Sequence, residues 1–420
     1  MNISEIRNMK LCVLGLGYIG LPSASMFATH GFEVLGVDVR PEIVQKLNNG
    51  EIHIEEPGLA TLVEAAVKSG RMRASVSPEP SDAFIIAVPT PITETHGADM
   101  SYVRQATEAI VPHLRPGNLV ILESTSPPRT CADIIIPILS ATGLIAGRDY
   151  HLAHTPERVL PGQILKELIA NDRIIGGVTP LCAEKARDLY RAFVQGEIFL
   201  TDATTAEMTK LVENTFRDVN IALANELARV CEKIGTSVWE VIRLANRHPR
   251  VRLHTPGPGV GGHCIAVDPW FLVESAPDEA RLIRAAREIN DGQPARVMAL
   301  IERAVETHGP GPIAFFGLTY KPDVDDTRES PSFPIVRHFM KKKGQPVIVH
   351  DPNVKKSEFP LEKDFQQVVA KARYLVFLVG HRPYRESAPD FSGKVIIDTI
   401  NMFGGRGLSP DCHLYTLGKR

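Results

Sequence analysis

The sequence lacks an excess of charge of either sign, and it lacks a long apolar run. Its 420 residues carry 47 Lys plus Arg against 49 Asp plus Glu, a formal net charge of −2. Nucleic acids and anionic membranes bind surfaces with an excess of basic side chains, so neither partner is expected. No stretch approaches the roughly 20 apolar residues that span a bilayer. The short apolar run at 11–21 contains three glycines and lacks the basic start and cleavage site of a signal peptide. We therefore expect a cytoplasmic protein.

Cysteine is scarce and scattered. The chain has six cysteines, with no C-x-x-C pair and no cluster of cysteine with histidine. This pattern argues against a disulfide scaffold and against a structural zinc site, and we expect no metal. Most of the cysteines are expected to be buried small hydrophobic side chains. One of them, Cys264, has different neighbours.

Three segments are visible along the chain, in keeping with a prior of about 150 residues per domain. In residues 1–200, short apolar runs alternate with helical patterns, which predicts parallel βαβ units covered on both faces. Residues 201–308 are mostly helical, and residues 309–420 repeat the α/β pattern on a smaller scale. The predicted strands are Leu11–Leu14, Glu33–Val37, Ala83–Val88, Leu119–Glu123, His151–His154, Arg173–Gly176, Ile313–Phe316, Pro346–Val349, Tyr374–Val379 and Lys394–Ile397.

The central segment opens with a long predicted helix, Ala203–Ile234. Thr204 and Glu207 have the spacing of a capping box, and Gly235 stands where a helix would stop. Apolar residues recur along it at intervals of three and four. At 1.5 Å per residue the helix would be about 48 Å long, so we expect it to bridge domains or to form a subunit interface.

A glycine-rich turn follows the first predicted strand. Gly15, Gly17 and Gly20, with Tyr18 and Ile19 between the last two, form a G-x-G-x-x-G motif before a helical pattern. In such a motif the glycines allow a tight turn, a close approach to a pyrophosphate and close helix packing. The helix N-terminus offers free N–H groups to the phosphates. The motif predicts a Rossmann-type NAD-binding domain.

An acidic residue ends the second predicted strand. Asp38 is placed to accept hydrogen bonds from ribose hydroxyls and to repel a 2′-phosphate, which favours NAD, whereas Arg40 nearby keeps NADP open. Thr90, Ser124 and Thr125 follow later strands, at the edge where open parallel sheets bind ligands. Taken alone, each of these hydroxyls would more often belong to a simple turn.

The segment 256–269 is the most unusual in the chain. It has four glycines in the seven residues 256–262, and these suggest a backbone that must approach a ligand closely. Cys264 ends this loop, and Asp268 follows four residues later. A thiolate is a good nucleophile for carbonyl carbon, and a carboxylate beside it can move a proton or position water. The alternative is a structural cysteine.

Three further polar residues are candidates for the same chemistry. Lys210 and Asn214 lie four residues apart on the long helix, so they share a face and could stabilise an oxyanion, or they could be two solvated positions. Glu157 follows a predicted strand end and could be a general base or a simple loop acid.

With these motifs in order, the chain resembles the UDP-glucose and GDP-mannose dehydrogenase family nearly end to end. The matching pieces are Gly15–Gly20, Pro156–Arg158, Lys210 with Asn214, the loop to Asp268, and the segments Gly317–Pro322 and Asp325–Ser330. The resemblance implies an NAD-dependent enzyme that oxidises the C6 alcohol of a nucleotide sugar to a carboxylate by four electrons. It also implies a C-terminal domain that binds uridine diphosphate and an assembly of at least two subunits.

The resemblance also suggests a branch and a set of binding residues. Val267 stands where UDP-glucose enzymes carry lysine, and His263–Trp270 resembles the branch of the family that acts on 2-acetamido sugars. Within that branch, Asn246–Arg250 and Arg158–Gln163 resemble the enzymes that act on UDP-N-acetyl-D-mannosamine, which we therefore expect as substrate. Arg250 is expected to reach the sugar of a neighbouring subunit, and Arg328 to lie at the cofactor. The remaining expected substrate contacts are Glu157, Arg158, Val159, Leu160, Lys210, Asn214, Arg217, His254, Gly261, Tyr320 and Lys321.

The implied mechanism is covalent. Asp268 or Lys210 removes the alcohol proton, and Cys264 captures the aldehyde as a thiohemiacetal that is oxidised to a thioester. Water ordered by Thr125 and activated by Glu157 or Asp268 then releases the acid. Lys210 and Asn214 would hold the oxyanions.

Three alternatives stay open. The same chemistry could act on UDP-N-acetylglucosamine or UDP-glucose. The chain could instead be a two-electron hydroxyacid dehydrogenase, which needs no nucleophilic cysteine. It could also be a nucleotide-sugar-binding regulator, although such a protein would be expected to lack several of the candidate catalytic residues, and all of them are present.

Overall fold

The computed structural model describes residues 8–419 except 94, 263, 343, 388 and 405–407. The chain forms two compact units, residues 1–213 and 214–420. None of the helices in the described part of the chain is both long and apolar enough to cross a membrane.

An eight-stranded sheet forms the centre of the first unit, with the strand order β3-β2-β1-β4-β5-β6-β7-β8. Its strands are Lys10–Leu14 (β1), Glu33–Val37 (β2), Met72–Ser75 (β3), Ala83–Ile86 (β4), Leu119–Leu122 (β5), His151–His154 (β6), Arg173–Gly177 (β7) and Ile198–Asp202 (β8). Its helices are Gly20–Thr29 (α1), Pro41–Asn48 (α2), Leu59–Lys68 (α3), Ser101–Ile110 (α4), Ile136–Leu139 (α5), Ile164–Ala170 (α6) and Pro180–Tyr190 (α7).

Both faces of this sheet are covered, as the apolar runs predict. Leu11 and Val13 belong to the core on one face, whereas Cys12 and Leu14 belong to the core on the other. Successive strand side chains point to opposite faces, so an unbroken apolar run requires two cores. The predicted α/β fold of a Rossmann-type domain is confirmed.

One pair of strands departs from the expected parallel arrangement. β6 and β7 are antiparallel, whereas the other neighbouring pairs of this sheet are parallel. The segment 155–172, which contains α6, joins the end of β6 to the start of β7 at the same edge of the sheet, so β7 runs back. Arg173, the first residue of β7, therefore lies at the edge where β5 and β6 end.

The long helix has its predicted bounds, Ala203–Ile234 (α8), but not its predicted cap. The Asp202 carboxylate accepts the Thr205 N–H at 2.9 Å at the start of the helix. Glu207 instead accepts the backbone N–H groups of Arg129 (2.6 Å) and Cys131 (2.8 Å). The capping box of Thr204 and Glu207 is thus wrong, because Glu207 satisfies the orphan donors at the start of another helical segment.

A second, all-parallel sheet forms the centre of the second unit, in the order β10-β9-β11-β12-β13. Its strands are Ile313–Phe316 (β9), Val347–His350 (β10), Tyr374–Phe377 (β11), Val395–Asp398 (β12) and His413–Thr416 (β13). The helices after α8 are Val238–Ala245 (α9), Asp268–Ser275 (α10), Arg281–Asp291 (α11), Gln293–His308 (α12), Ser332–Lys341 (α13), Phe365–Lys371 (α14) and Arg382–Glu386 (α15).

Candidate active site

The glycine-rich turn has the geometry that its sequence predicts. Gly15 has φ +92°, and its N–H donates to the Val37 carbonyl at 2.8 Å, which joins β1 to β2. A Cβ on Gly15 would lie 2.6 Å from the Ala87 carbonyl oxygen, and one on Gly20 only 1.8 Å from the Gly15 carbonyl oxygen. The first and third glycines are therefore required by the packing of the turn itself.

Gly17 differs from these two glycines. A Cβ built on it would meet no atom within 4 Å, and the neighbouring Tyr18 is 40% exposed. Ile19 is half-buried and directly precedes α1. Open space over the second glycine, next to a helix N-terminus, is where a dinucleotide pyrophosphate approaches the backbone. The turn thus fits NAD.

This contrast predicts different results for two alanine substitutions. Gly17→Ala should leave the free energy of unfolding unchanged but raise KM for NAD about tenfold, because only the cofactor meets the added methyl group. Gly20→Ala should lower the free energy of unfolding by about 3 kcal/mol through overpacking. Denaturant unfolding and NAD titration of both variants measure this. A destabilised Gly17→Ala protein would contradict it.

Asp38 and Arg40 are paired with each other. Asp38 is 6% exposed, and its Oδ1 accepts the Arg40 N–H at 3.1 Å and the Arg40 Nε–H at 3.2 Å. Its Oδ2 lies 3.4 Å from the Leu16 nitrogen in the glycine-rich turn. Asp38 therefore lies beside the glycine-rich turn. Arg40, which left binding of NADP possible, is paired with Asp38, the residue that favours NAD.

The hydroxyl candidates follow β4 and β5. Ser124 donates its hydroxyl to the Val88 carbonyl at 2.7 Å, so it links the two loops. Thr90 and Thr125 are half-buried beside these strand ends.

Glu157 is buried and held by basic and backbone groups. Its Oε2 accepts Arg173 Nη2 at 2.7 Å, and its Oε1 accepts the Arg158 N–H at 2.8 Å. Arg158 donates its Nη1 to Glu213 at 2.7 Å. Val159 packs at the margin of a hydrophobic core, and Leu160 is 42% exposed.

No role is predicted for Arg173 from the sequence. The signal that could have found it is a charged residue at the head of the apolar strand β7. Its side chain is only 5% exposed, and a buried guanidinium needs a carboxylate partner.

In the second unit, Cys264 is the exposed cysteine. The other five cysteines are buried or half-buried, and burial raises the pKa of Cys12 to about 12. The Cys264 carbonyl accepts the Asp268 N–H at 2.8 Å, one turn before α10. Cys264 therefore ends its loop one turn before the N-terminus of α10.

Asp268 and Asn214 are brought together by the fold. Both are 2% exposed, and Asn214 Nδ2 donates to Asp268 Oδ2 at 2.5 Å. Arg217, one turn further along α8, donates to Asn214 Oδ1. Lys210 is half-buried one turn before Asn214 on the same helix. A buried carboxylate beside the cysteine loop suits proton transfer.

The glycines of the cysteine loop have a reason that the sequence did not reveal. A Cβ on Gly261 would lie 2.5 Å from the Glu329 carbonyl oxygen, and one on Gly262 would lie 3.0 Å from the Tyr320 ring. A Cβ on Gly259 would lie 2.9 Å from Pro331. The sequence suggested that these glycines allow a ligand to approach closely. At these three positions they allow close packing against the protein's own chain.

Tyr320 lies near the cysteine as a result. Burial, followed by the charges of Asp326 and Cys264, raises the pKa of Tyr320. The Lys321 ammonium stands 5.6 Å from the Tyr320 ring centroid. Arg328 pairs with Asp326 at 2.7 Å. These residues form one cluster with Gly261 and Cys264.

Two predicted substrate residues lie elsewhere on the surface. Arg250 and His254 are exposed in the segment between α9 and α10. Among the residues that the structure describes, neither is hydrogen-bonded to another predicted site residue.

The two units together define a class of protein. The first carries a dinucleotide-binding turn with an acid at the end of β2, and the second carries an exposed thiol beside a buried Asp–Asn pair. A dinucleotide cofactor accepts hydride, and a thiol can hold an oxidised carbonyl carbon. This combination is typical of a dehydrogenase with a covalent step.

Comparisons with known proteins agree with this class. Family models match residues 9–194 (NAD binding domain), 204–292 (central domain) and 314–405 (UDP binding domain) of the UDP-glucose/GDP-mannose dehydrogenase family. The chain belongs to this family, and its cofactor is NAD.

Individual relatives are similar over nearly their whole length. A UDP-N-acetyl-D-mannosamine dehydrogenase of Methanococcus maripaludis is 47% identical over 94% of this chain and 93% of its own. An NDP-N-acetyl-D-galactosaminuronic acid dehydrogenase of Ralstonia solanacearum is 46% identical over 96% and 99%. The structure of the UDP-N-acetyl-mannosamine dehydrogenase of S. aureus is 46% identical and superimposes with a TM-score of 0.89, over 98% of this chain and 99% of that one.

Proposed function

We propose that this protein oxidises the C6 alcohol of UDP-N-acetyl-D-mannosamine to the carboxylate, with two NAD per sugar and a covalent intermediate on Cys264. The observation that carries the proposal is the exposed Cys264 thiol, which lies one turn before the buried Asp268–Asn214 pair in a chain with an NAD-binding domain. The similarity to relatives named for this substrate supports the choice of sugar.

The residues of this chain have different roles in the proposed reaction. NAD, held by the glycine-rich turn with Asp38 and by contacts proposed for Thr90, Ser124, Thr125 and Arg328, supplies a hydride acceptor for each of the two oxidations. Asp268 or Lys210 takes the proton of the alcohol. The Cys264 thiolate then adds to the aldehyde carbon, and oxidation of that adduct leaves a thioester.

Release of the product is a hydrolysis. Water ordered by Thr125 adds to the thioester carbon, its proton passes to Glu157 or Asp268, and the carbon–sulfur bond breaks to return the thiolate. The Lys210 ammonium and the Asn214 amide are proposed to stabilise the oxyanion of the tetrahedral species; loss of one such donor reduces a rate by about 10²–10³-fold.

The remaining predicted residues are proposed to bind the UDP-sugar. Tyr320 and Lys321 would hold the diphosphate side with Gly261, and Arg158, Val159, Leu160 and Arg217 would line the sugar side. Arg250, which is exposed in the single chain, would reach the sugar of a second subunit, and His254 is proposed as a further substrate contact.

We also assign an assembly of at least two copies to this proposal. Large apolar side chains stay exposed along α8, a surface that a second copy would cover. They are Met208, Val212, Phe216, Leu223, Val230 and Ile234, between 41% and 70% exposed. A monomeric mass by light scattering would contradict this assembly. The cytoplasmic location stays a prediction.

The experiment that tests the function counts NADH per sugar. With UDP-N-acetyl-D-mannosamine, two NADH should form per uronate, and kcat/KM should exceed that for UDP-N-acetylglucosamine, UDP-N-acetylgalactosamine and UDP-glucose by at least about tenfold. Absorbance at the NADH band and mass spectrometry of the product measure both. One NADH per sugar would indicate a two-electron dehydrogenase, and a higher kcat/KM for another sugar would move the substrate assignment.

A further inference from the structure

Four buried side chains meet at the carboxyl edge of the first sheet. Glu123 follows β5, Glu157 follows β6, Arg173 begins β7 and Tyr190 ends α7. We call them the Arg173 cluster. The side chains of Glu123, Glu157 and Arg173 are 0%, 8% and 5% exposed, and Tyr190 is fully buried. Only Glu157 belongs to the chemistry proposed above.

One guanidinium serves two carboxylates in this cluster. Arg173 Nη2 lies 2.7 Å from Glu157 Oε2, and Arg173 Nη1 lies 3.7 Å from Glu123 Oε1. Arg173 also donates to Thr155 Oγ1 at 3.2 Å, and its guanidinium carbon lies 4.4 Å from the Tyr190 ring centroid. These contacts hold the guanidinium between the two carboxylates and over the Tyr190 ring.

The antiparallel direction of β7 makes this arrangement possible. The first residue of a parallel strand would lie at the amino edge of the sheet, away from the ends of β5 and β6. Because β7 runs back along β6, Arg173 lies at the edge where Glu123 and Glu157 stand.

The carboxylate of Glu123 is buried, and few groups around it stabilise its negative charge. The groups that face it are Arg173 from β7, Glu157 from the loop after β6, Tyr190 from α7 and Ser23 from α1. Burial and the neighbouring Glu157 raise its pKa to about 7, against the lowering effects of Arg173 and of the hydrogen bond from Tyr190. The Tyr190 hydroxyl donates to Glu123 Oε1 at 2.5 Å.

The charge of the cluster therefore changes with the proton on Glu123. When Glu123 is neutral, the guanidinium of Arg173 pairs with Glu157 alone. When Glu123 is ionised, it competes with Glu157 for the same guanidinium.

We propose that Arg173 positions the Glu157 carboxylate, and that ionised Glu123, by taking a share of Arg173, frees Glu157 to accept the proton of water in the hydrolysis of the acyl group on Cys264. This inference rests on the proposed function. In that step water forms a bond to the acyl carbon, its proton goes to Glu157, and the carbon–sulfur bond breaks to leave the Cys264 thiolate. Arg173 and Glu123 are positioning residues, since they act through Glu157.

The test is the pH profile of acyl-enzyme hydrolysis. In the unsubstituted enzyme, the single-turnover rate of this step should rise about three- to tenfold as pH increases through about 7. Glu123→Gln should remove this rise and keep the slower rate throughout, because the amide cannot ionise. Tyr190→Phe should move the rise to higher pH, because it removes a hydrogen bond that stabilises ionised Glu123. Acid quench followed by mass spectrometry of the Cys264 peptide measures the acyl-enzyme.

Three further measurements separate positioning from folding. Glu184→Gln, on the exposed face of α7, should reproduce the unsubstituted profile. Arg173→Met should slow hydrolysis more than Arg173→Lys, which restores the charge, while KM for the sugar changes little in both. Denaturant unfolding identifies any variant that has lost its fold. If Glu123→Gln or an Arg173 variant has done so, the pH profile of Tyr190→Phe, which keeps the aromatic ring over Arg173, tests the inference.

The outcomes distinguish this inference from the function on which it rests. If the acyl-enzyme forms and Glu123→Gln hydrolyses it with an unchanged pH profile, the role of Glu123 is wrong and the proposed function stands. If no acyl-enzyme forms on Cys264 under any condition, the proposed covalent function itself fails.

Discussion

Cys264→Ser should lower the rate of uronate formation by roughly 10³-fold or more, because a serine hydroxyl is far less ionised than a thiol and does not capture the aldehyde. Cys264 is the exposed cysteine of this chain and lies one turn before the N-terminus of α10. The substitution removes the only atom to which the acyl group is proposed to bind. Steady-state NADH formation and detection of free aldehyde by mass spectrometry measure the loss.

Cys412→Ser provides the matched control. Cys412 is half-buried in the second unit, and its thiol donates to the Phe391 carbonyl. A serine hydroxyl keeps that hydrogen bond, so this variant should retain the full rate. Full activity of Cys264→Ser would rule out covalent catalysis, whatever the control shows.

Asp268→Asn should lower kcat by about 10²–10⁴-fold, the usual contribution of a general acid or base. The carboxylate is 2% exposed and accepts a hydrogen bond from Asn214 at 2.5 Å. The amide of the variant can still accept that bond through its oxygen, so the geometry should persist. The amide cannot accept a proton, whereas Asp268 is proposed to accept one in the oxidation of the alcohol and in the hydrolysis of the thioester.

The comparison that isolates this effect uses Asp278→Asn. Asp278 is exposed shortly after α10, and its neutralisation should leave kcat unchanged. NADH formation over pH 6 to 9 and NAD affinity should be measured for both variants. If Asp268→Asn keeps kcat within a factor of two of the unsubstituted enzyme, proton transfer belongs to Lys210 or Glu157 instead.

The strands in the middle of each sheet could be predicted from the sequence, whereas most of the edge strands could not. β3, β8 and β13 were missed, and they are three of the four edge strands in the described sheets. β8 exposes Phe199 and Leu200, and β13 exposes His413 and Leu414. A strand with a solvent-facing side mixes polar and apolar residues over four or five positions, which gives a weak pattern.

The residues of the candidate site could likewise be predicted only in part from the sequence. The glycine-rich turn, Asp38 and the Cys264 loop carry residue types that only a few local conformations or chemistries explain, so the sequence pointed to them. Glu207 was read as a cap of its own helix, yet it caps the segment that begins at Cys131. Nothing in the spacing of Glu207 tells which helix start lies near it.

The amino-acid order alone determined where apolar runs need two covered faces, where the backbone must turn through glycine, and where a nucleophile stands beside an acid. These are local properties, because they depend on the spacing of apolar residues and on the conformations that each side chain allows. The tertiary structure decided which distant groups meet: Arg173 with Glu123 and Glu157, and Tyr320 with the glycines before Cys264. Those meetings depend on strand order and direction, and these follow from the packing of a whole sheet and not from any one segment of it.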